Sequence, residues 1–264
     1  MIRAIALIAV FSLTGAAMAC TVDPASRTAY PDSVTTFDGP GSAVARAWYD
    51  DPVTRYPHFV LGRQNEPETL WISTPGNQGL CGHALTLDAD HVFEDTAPRL
   101  ADLDGDGQAE VVVVRSHRRE GAQLAIYRWT GSELVLDAAT PYIGRANRWL
   151  APLGIADLDG DGAMEIAYID RPHLARTLRV WRYADNALTE VAALSGVTNH
   201  RIGEAFISGG IRHCGAGPEM VMADARWARI IALSLEDSAL TYRGIAPFSG
   251  SSAFAAVLAC AEEG

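Results

Sequence analysis

The densest chemistry in the chain lies in two runs of acid and glycine. Asp102-Leu103-Asp104-Gly105-Asp106-Gly107 is followed by Glu110; 55 residues on, Asp157-Leu158-Asp159-Gly160-Asp161-Gly162 is followed by Glu165. With the first aspartate as position 1, carboxylates stand at positions 1, 3, 5 and 9, and position 7 (Gln108 or Ala163) offers its backbone carbonyl. Hard oxygen donors alternating around one point suit Ca²⁺, which takes six to eight oxygens; Mg²⁺ tolerates such crowded protein ligation less well. Glycine at position 6 lets the chain turn sharply without a Cβ penalty. Four carboxylates within about 5 Å repel by roughly 3 kcal/mol per pair at an effective dielectric near 20, so the loop needs a cation to hold its shape. An EF-hand would need glutamate at position 12 and flanking helices. Position 12 is Val113 or Tyr168, and strand-like runs flank both loops. The plain alternative, a polar turn that recurs, is disfavoured by two matched copies.

Paired strands must hold each loop, because a short apolar run follows every acidic one. Aligning the loops extends the likeness: Ala97–Trp129 matches Ala151–Tyr183. A weaker copy spans Glu204–Leu235, where Glu219 answers Glu165 and Asp224 answers Asp170 but the loop aspartates are gone, and a fainter one spans Ala43–Ser73. A period of about 50 residues with four short strands per period is the signature of a β-propeller. In the clearest unit, strands are predicted over Pro152–Ala156, Met164–Ile169, Thr177–Tyr183 and Ala187–Leu194, punctuated by Asp185-Asn186. No stretch of the mature chain shows sustained helical periodicity with caps. The expected fold class is all-β, a β-propeller of four-stranded blades, five by preference and four as the alternative, with a sandwich or parallel β-helix as the rival. In the five-bladed reading, the tail Ser251–Cys260 opens a strand of the blade that Thr21–Phe37 completes, removing sheet edges.

The two D-x-D-G-D-G-x-x-E loops between paired strands resemble the FG-GAP or VCBS repeats of integrin-like β-propellers. The resemblance is strong over Ala97–Tyr183 and weak elsewhere in the mature chain. It implies calcium in the loop between the first and second strand of a blade, with Asp102, Asp104, Asp106, Glu110 and Asp157, Asp159, Asp161, Glu165 matching the family's ligands. Neither copy carries a clear Phe-Gly…Gly-Ala-Pro signature, and glutamate stands at position 9 where aspartate is more usual.

Catalytic motifs are missing from the sequence. The seven histidines are scattered singly with no H-E-x-x-H, and neither a G-x-S-x-G elbow nor a phosphate-cradling glycine loop occurs. All 21 basic residues are arginine, which excludes a Schiff-base or P-loop lysine. The loops are saturated with carboxylates, so the calcium they imply is structural. The expected function is non-catalytic, a recognition or scaffold module for a protein or glycan; the alternative is a propeller hydrolase or lyase acting on an extracellular glycan, with Glu94 and Asp95 as its acids. Ligand-binding candidates lie on the face opposite the calcium loops. The connections expected there carry Glu94-Asp95, Arg145–Trp149 and Thr198–Arg201, and the hairpins carry Arg115–Glu120 and Asp170–Arg176. Arg148, Trp149, His200 and Arg201 are the residues expected to meet an anionic sugar or peptide. The alternative is that these arginines tie blades together through carboxylate pairs.

Arg3, the apolar run Ala4–Leu13 and the small-residue site Ala17-Met18-Ala19 describe a secretory signal peptide over residues 1–19, leaving 20–264 as a single propeller domain. A lipoprotein signal acylated at Cys20 is the rival, but Ala17 stands where leucine is usual. No later segment is predicted to span a membrane, and the mature protein is expected in the periplasm or outside the cell. A formal charge of −11 without any basic cluster argues against nucleic acid as a partner. The four cysteines suit two disulfides in an exported protein. Cys214 lies in the degenerate third loop, and Cys260 falls at the start of the same loop in the next unit; Cys214–Cys260 is therefore expected, with Cys20–Cys81 by elimination.

Overall fold

The computed structural model describes residues 23–77, 79–215 and 217–261. The signal segment 1–19 and Cys20 lie outside the described residues. Four antiparallel sheets follow one another along the chain. Blade 1 contains β1 (Thr35–Thr36), β2 (Arg46–Val53), β3 (Glu66–Gly76) and β4 (Gly79–Thr86). Blade 2 contains β5 (His91–Phe93), β6 (Arg99–Ala101), β7 (Glu110–His117), β8 (Gly121–Trp129) and β9 (Leu134–Ala139). Blade 3 contains β10 (Leu150–Ala156), β11 (Met164–Asp170), β12 (Thr177–Ala184) and β13 (Ala187–Ser195), within two residues of the predicted bounds. Blade 4 contains β14 (Val197–Thr198), β15 (Gly210–His213), β16 (Pro218–Asp224), β17 (Arg229–Glu236) and β18 (Ala239–Pro247).

The strands read as unbroken apolar runs because both faces of the middle blades are buried. Val111 and Val113 pack with Tyr49, Leu70 and Ile72 of blade 1. Val112 and Val114, pointing the other way, pack with Ile166 and Tyr168 of blade 3. Ala167 and Ile169 then meet Met220, Met222, Ile231 and Leu233 of blade 4. Period-two alternation thus assigns successive residues of one strand to two different inter-blade cores.

The inner strand of a blade is interrupted at the axis. β5 and β6 both pair with β7, and residues 94–98 form the excursion between them. β14 and β15 both pair with β16, with residues 199–209 between them. Blade 3 has only a bulge at Leu153 in that place. Glu94-Asp95 and Asn199-His200-Arg201 therefore break inner strands instead of connecting blades, which corrects their expected placement. Only Arg145–Trp149 lies in a true blade connection, between β9 and β10.

The described residues contain four sheets, the alternative count and not the preferred five, and the tail is a helix, α1 (Ser251–Leu258). Helical spacing puts Phe254 and Val257 on one side, where they bury against Val221, Ala223, Ile230 and Ala232. α1 thus covers the face of blade 4 on which a fifth blade would pack. At the other end, the segment after residue 22 covers blade 1: Pro24 and Trp71 both lie against Gly82, and the Trp71 ring stacks on Trp48. Blades 1 and 4 meet through loops, with the Gly203 amide donating to the Val60 carbonyl at 3.0 Å.

Candidate metal loops and arginine-bearing face

Both acidic loops emerge between an inner strand and the next strand of the same blade, closed by the pairs Ala101–Glu110 and Ala156–Glu165. Their internal wiring is the same. Asp102 accepts from the amides of Gly105 (2.9 Å) and Gly107 (3.0 Å). Asp157 accepts from those of Gly160 (2.8 Å) and Gly162 (3.0 Å). These four glycines have φ between +77° and +92°, so the turn demands glycine at position 4 as well as position 6. Glu110 and Glu165 accept from the amides of Leu103 (2.9 Å) and Leu158 (2.8 Å). Both leucines are buried and root their loops in the inter-blade cores.

Carboxylate oxygens of Asp102, Asp104 and Glu110 lie within 4.8 Å of one another, as do those of Asp157, Asp159 and Glu165. Asp106 and Asp161 instead accept from the amides of Gln108 (2.7 Å) and Ala163 (2.8 Å). The Gln108 side chain accepts from the Ala43 amide of blade 1 at 2.8 Å, a tie between blades. Burial pushes the Glu110 carboxyl up to about 7, and the charges of Asp104 and Asp106 add to the rise. Burial also raises Glu165, but Arg182 opposes it.

On the opposite face, Arg118, Arg119, Arg145 and Arg176 are exposed, and Arg148 is half-buried, its Nη1 donating to the Asn147 carbonyl. Of the three other residues expected to meet a ligand, Trp149 and His200 are buried and Arg201 is exposed. Trp149 is 2% exposed, and its Nε1 donates to the Glu94 carbonyl at 2.7 Å. His200 is 1% exposed and lies edge-on to Trp149. The Arg201 guanidinium lies over the rings of Trp227 and Phe248. Glu94 and Asp95 are fully buried: Glu94 meets His58 and Ser116, and Asp95 meets Arg99 and the amides of Thr96 and Val114. Near them opens an axial cavity of about 630 Å³, lined by residues of all four blades, among them Arg63, Arg99, Leu153 and Phe206.

Cys214 and Cys260 are disulfide-bonded, with Cα atoms 5.6 Å apart. The pairing is as expected, although Cys260 follows a helix and not the opening strand of another blade. Cys81 is disulfide-bonded as well; Cys20, expected as its partner, lies outside the described residues.

Residues 95–168 match the FG-GAP-like repeat family. This segment is similar to an FG-GAP-like repeat. It runs from the buried Asp95 to Tyr168 and takes in both acidic loops. No curated protein sequence matches the chain. Among solved structures, the chain is similar to Bacillus licheniformis rhamnogalacturonan lyase PL11, at 16% identity and TM-score 0.40, covering 70% of this chain and 44% of that one. It is also similar to the exotype rhamnogalacturonan lyase YesX, at 13% identity and TM-score 0.38, covering 80% and 50%. A Lactobacillus plantarum protein matches at 14% identity and TM-score 0.33, covering 69% and 55%. The chain thus spans about half the length of these proteins. The FG-GAP-like repeat was readable from its aspartates and glycines alone. Its anchoring leucines, Leu103 and Leu158, each stand at position 2 of their loop, where an apolar residue carries no ligand signal.

Proposed function

We propose that the protein is an exported, calcium-holding β-propeller domain that acts as a non-catalytic recognition or scaffold module. The observation that carries this reading is the pair of loops, each gathering three acidic oxygens within 4.8 Å on the same rigid strand frame. The donor set fits calcium, being all hard oxygen. Asp159 Oδ1 is buried without a hydrogen-bond partner, an atom that a cation would satisfy. Asp102, Asp104, Asp106 and Glu110 would hold the ion in the first loop, joined by the Gln108 carbonyl. Asp157, Asp159, Asp161 and Glu165, with the Ala163 carbonyl, would do so in the second. Calcium would supply the positive charge that lets these carboxylates converge. Export is supported by the N-terminal apolar run and by the Cys214–Cys260 disulfide. Among the described residues no helix is long and apolar enough to cross a membrane.

The ligand-binding part is the face remote from the loops, where exposed arginines on an acidic protein favour an anionic glycan or acidic peptide. Glu94 and Asp95 have their carboxylates engaged by neighbours, which supports a non-catalytic reading over a glycan hydrolase or lyase. A glycan and peptide array probed with wild type and Arg148→Ala, with and without calcium, tests the assignment. Anionic ligands retained by wild type and lost by the variant support it; retention of neutral ligands alone, or equal binding by both proteins, refutes it.

A further inference from the structure

We propose that Arg182 is the second loop's own counter-cation, so that calcium enters that loop only by displacing a guanidinium, while the first loop depends on the metal. The inference rests on reading both loops as calcium sites. Arg182 stands opposite Glu165 in the β11–β12 ladder. Its Nε lies 2.6 Å from Glu165 Oε1, its Nη2 2.6 Å from Asp159 Oδ2, and its Nη1 3.0 Å from Asp161 Oδ2. One guanidinium therefore reaches three of the four loop carboxylates.

The first loop has an arginine at the same register, because Val111 pairs with Tyr127 and Arg128 is the next residue. Arg128 turns away, its Nε 3.2 Å from Asp137 Oδ1. Asp137 is the bulge residue of β9, and the corresponding bulge residue of β13 is Val191, which offers no acceptor. Asp137 is itself held from blade 3 by Tyr183 Oη and by Asn186 Nδ2. Among the described residues, no arginine reaches Asp102, Asp104, Asp106 or Glu110.

Blade 4 extends the series. Arg212 pairs with Glu219 across β15–β16 as Ala156 pairs with Glu165. The loop aspartates are gone, and Glu219 is held by Arg212 at 2.7 Å and Arg243 at 2.9 Å. Metal-type acids without arginine, acids with one arginine, and a single acid with two arginines thus occupy equivalent places in successive blades. Guanidinium presents planar donors that satisfy carboxylates as a cation does. The second loop is not fully satisfied by it: the Asp159 side chain is 10% exposed, and its Oδ1 stays without a partner beside Arg182. That oxygen leaves calcium a foothold.

Calorimetric titration of Ca²⁺ into metal-stripped wild type, Arg182→Met and Arg182→Lys, alongside metal-free melting curves, tests the proposal. Wild type is expected to show one tighter site and a second weaker by about tenfold or more. Arg182→Met should bring the second site close to the first and lower the metal-free melting temperature, which calcium then restores. Arg182→Lys, which keeps the charge, should stay closer to wild type. A methionine variant that folds only with calcium is the same result in stronger form. Two equal sites in wild type, unchanged in Arg182→Met, would overturn the proposal and leave the calcium reading standing. Absence of uptake by all three proteins would overturn the calcium reading. In that case a metal-free melting temperature unchanged in Arg182→Met shows separately that Arg182 does not neutralise the loop.

Discussion

The guanidinium of Arg201 lies 4.3 Å from the centre of the Trp227 ring, with Phe248 on a second side at 4.8 Å. Trp227 and Phe248 pack around Phe254 of α1, so Arg201 ties the axial excursion of blade 4 to the end of the domain. Such contacts contribute about 1 kcal/mol. Arg201→Ala should lower the melting temperature by about 2–4 °C for a domain of this size. Arg148→Ala, without ring or carboxylate contacts, should leave it unchanged and reduce anionic-ligand binding instead. Differential scanning calorimetry of the two variants distinguishes these roles.

Chelation should lower the melting temperature reversibly. Each calcium site occupied at a hundredfold excess over its dissociation constant adds about 2.7 kcal/mol. Thermal melts with chelator, and again after calcium is restored, check this. Asp102→Asn should reduce the response more than Asp157→Asn, because Arg182 already neutralises the second loop.

Acid should weaken the fold through a histidine pair. His200 Nε2 donates to the Glu204 carbonyl at 2.9 Å, so neutral His200 must accept at Nδ1 from His173 Nε2, 3.0 Å away. Burial, then the neighbouring His200, lowers the His173 pKa to about 4, and burial lowers that of His200. Below the ordinary value of about 6.5 the unfolded chain takes up protons that the folded pair refuses. Stability should therefore fall as pH drops from about 6.5 toward about 4. Glu66 acts in the opposite direction, since burial pushes its carboxyl up to about 8 and it loses stability as pH rises. Denaturant melts of wild type and His173→Gln across this range isolate the pair: the variant should lose less stability in acid.

Reducing Cys214–Cys260, which closes a separation of 46 residues, should cost on the order of 4 kcal/mol on the chain-entropy argument. The paired Cys214→Ser, Cys260→Ser variant should lose hydrogen-exchange protection first in α1, whose Val257 carbonyl accepts from Arg212. Mapping of non-reduced peptides should recover Cys214 joined to Cys260.

The readable part of this protein is local. Aspartates, glycines and a closing glutamate within nine positions define each loop, and the strands of blade 3 announce themselves by short apolar runs between turns. The tail reads as a strand because Ser251–Leu258 is eight residues long and largely apolar, and periodicity does not separate a buried strand from a short helix at that length. Its helical form follows from the exposed sheet face that Phe254 and Val257 cover, a tertiary demand. Contacts between blades were equally hidden. Arg128 and Arg182 occupy one register, yet their destinations depend on whether β9 or β13 bulges at an aspartate or a valine. Glu94-Asp95 reads as part of a connection between blades, and only the split of β5 from β6 shows why it is buried.

A crystal structure of the protein grown in calcium tests the central claim most directly. An anomalous calcium peak is expected in the first loop, bounded by Asp102, Asp104, Asp106 and Glu110, and a second peak at Asp157, Asp159 and Glu165 only where Arg182 has swung out. A folded protein in millimolar calcium with no ion in either loop would contradict it.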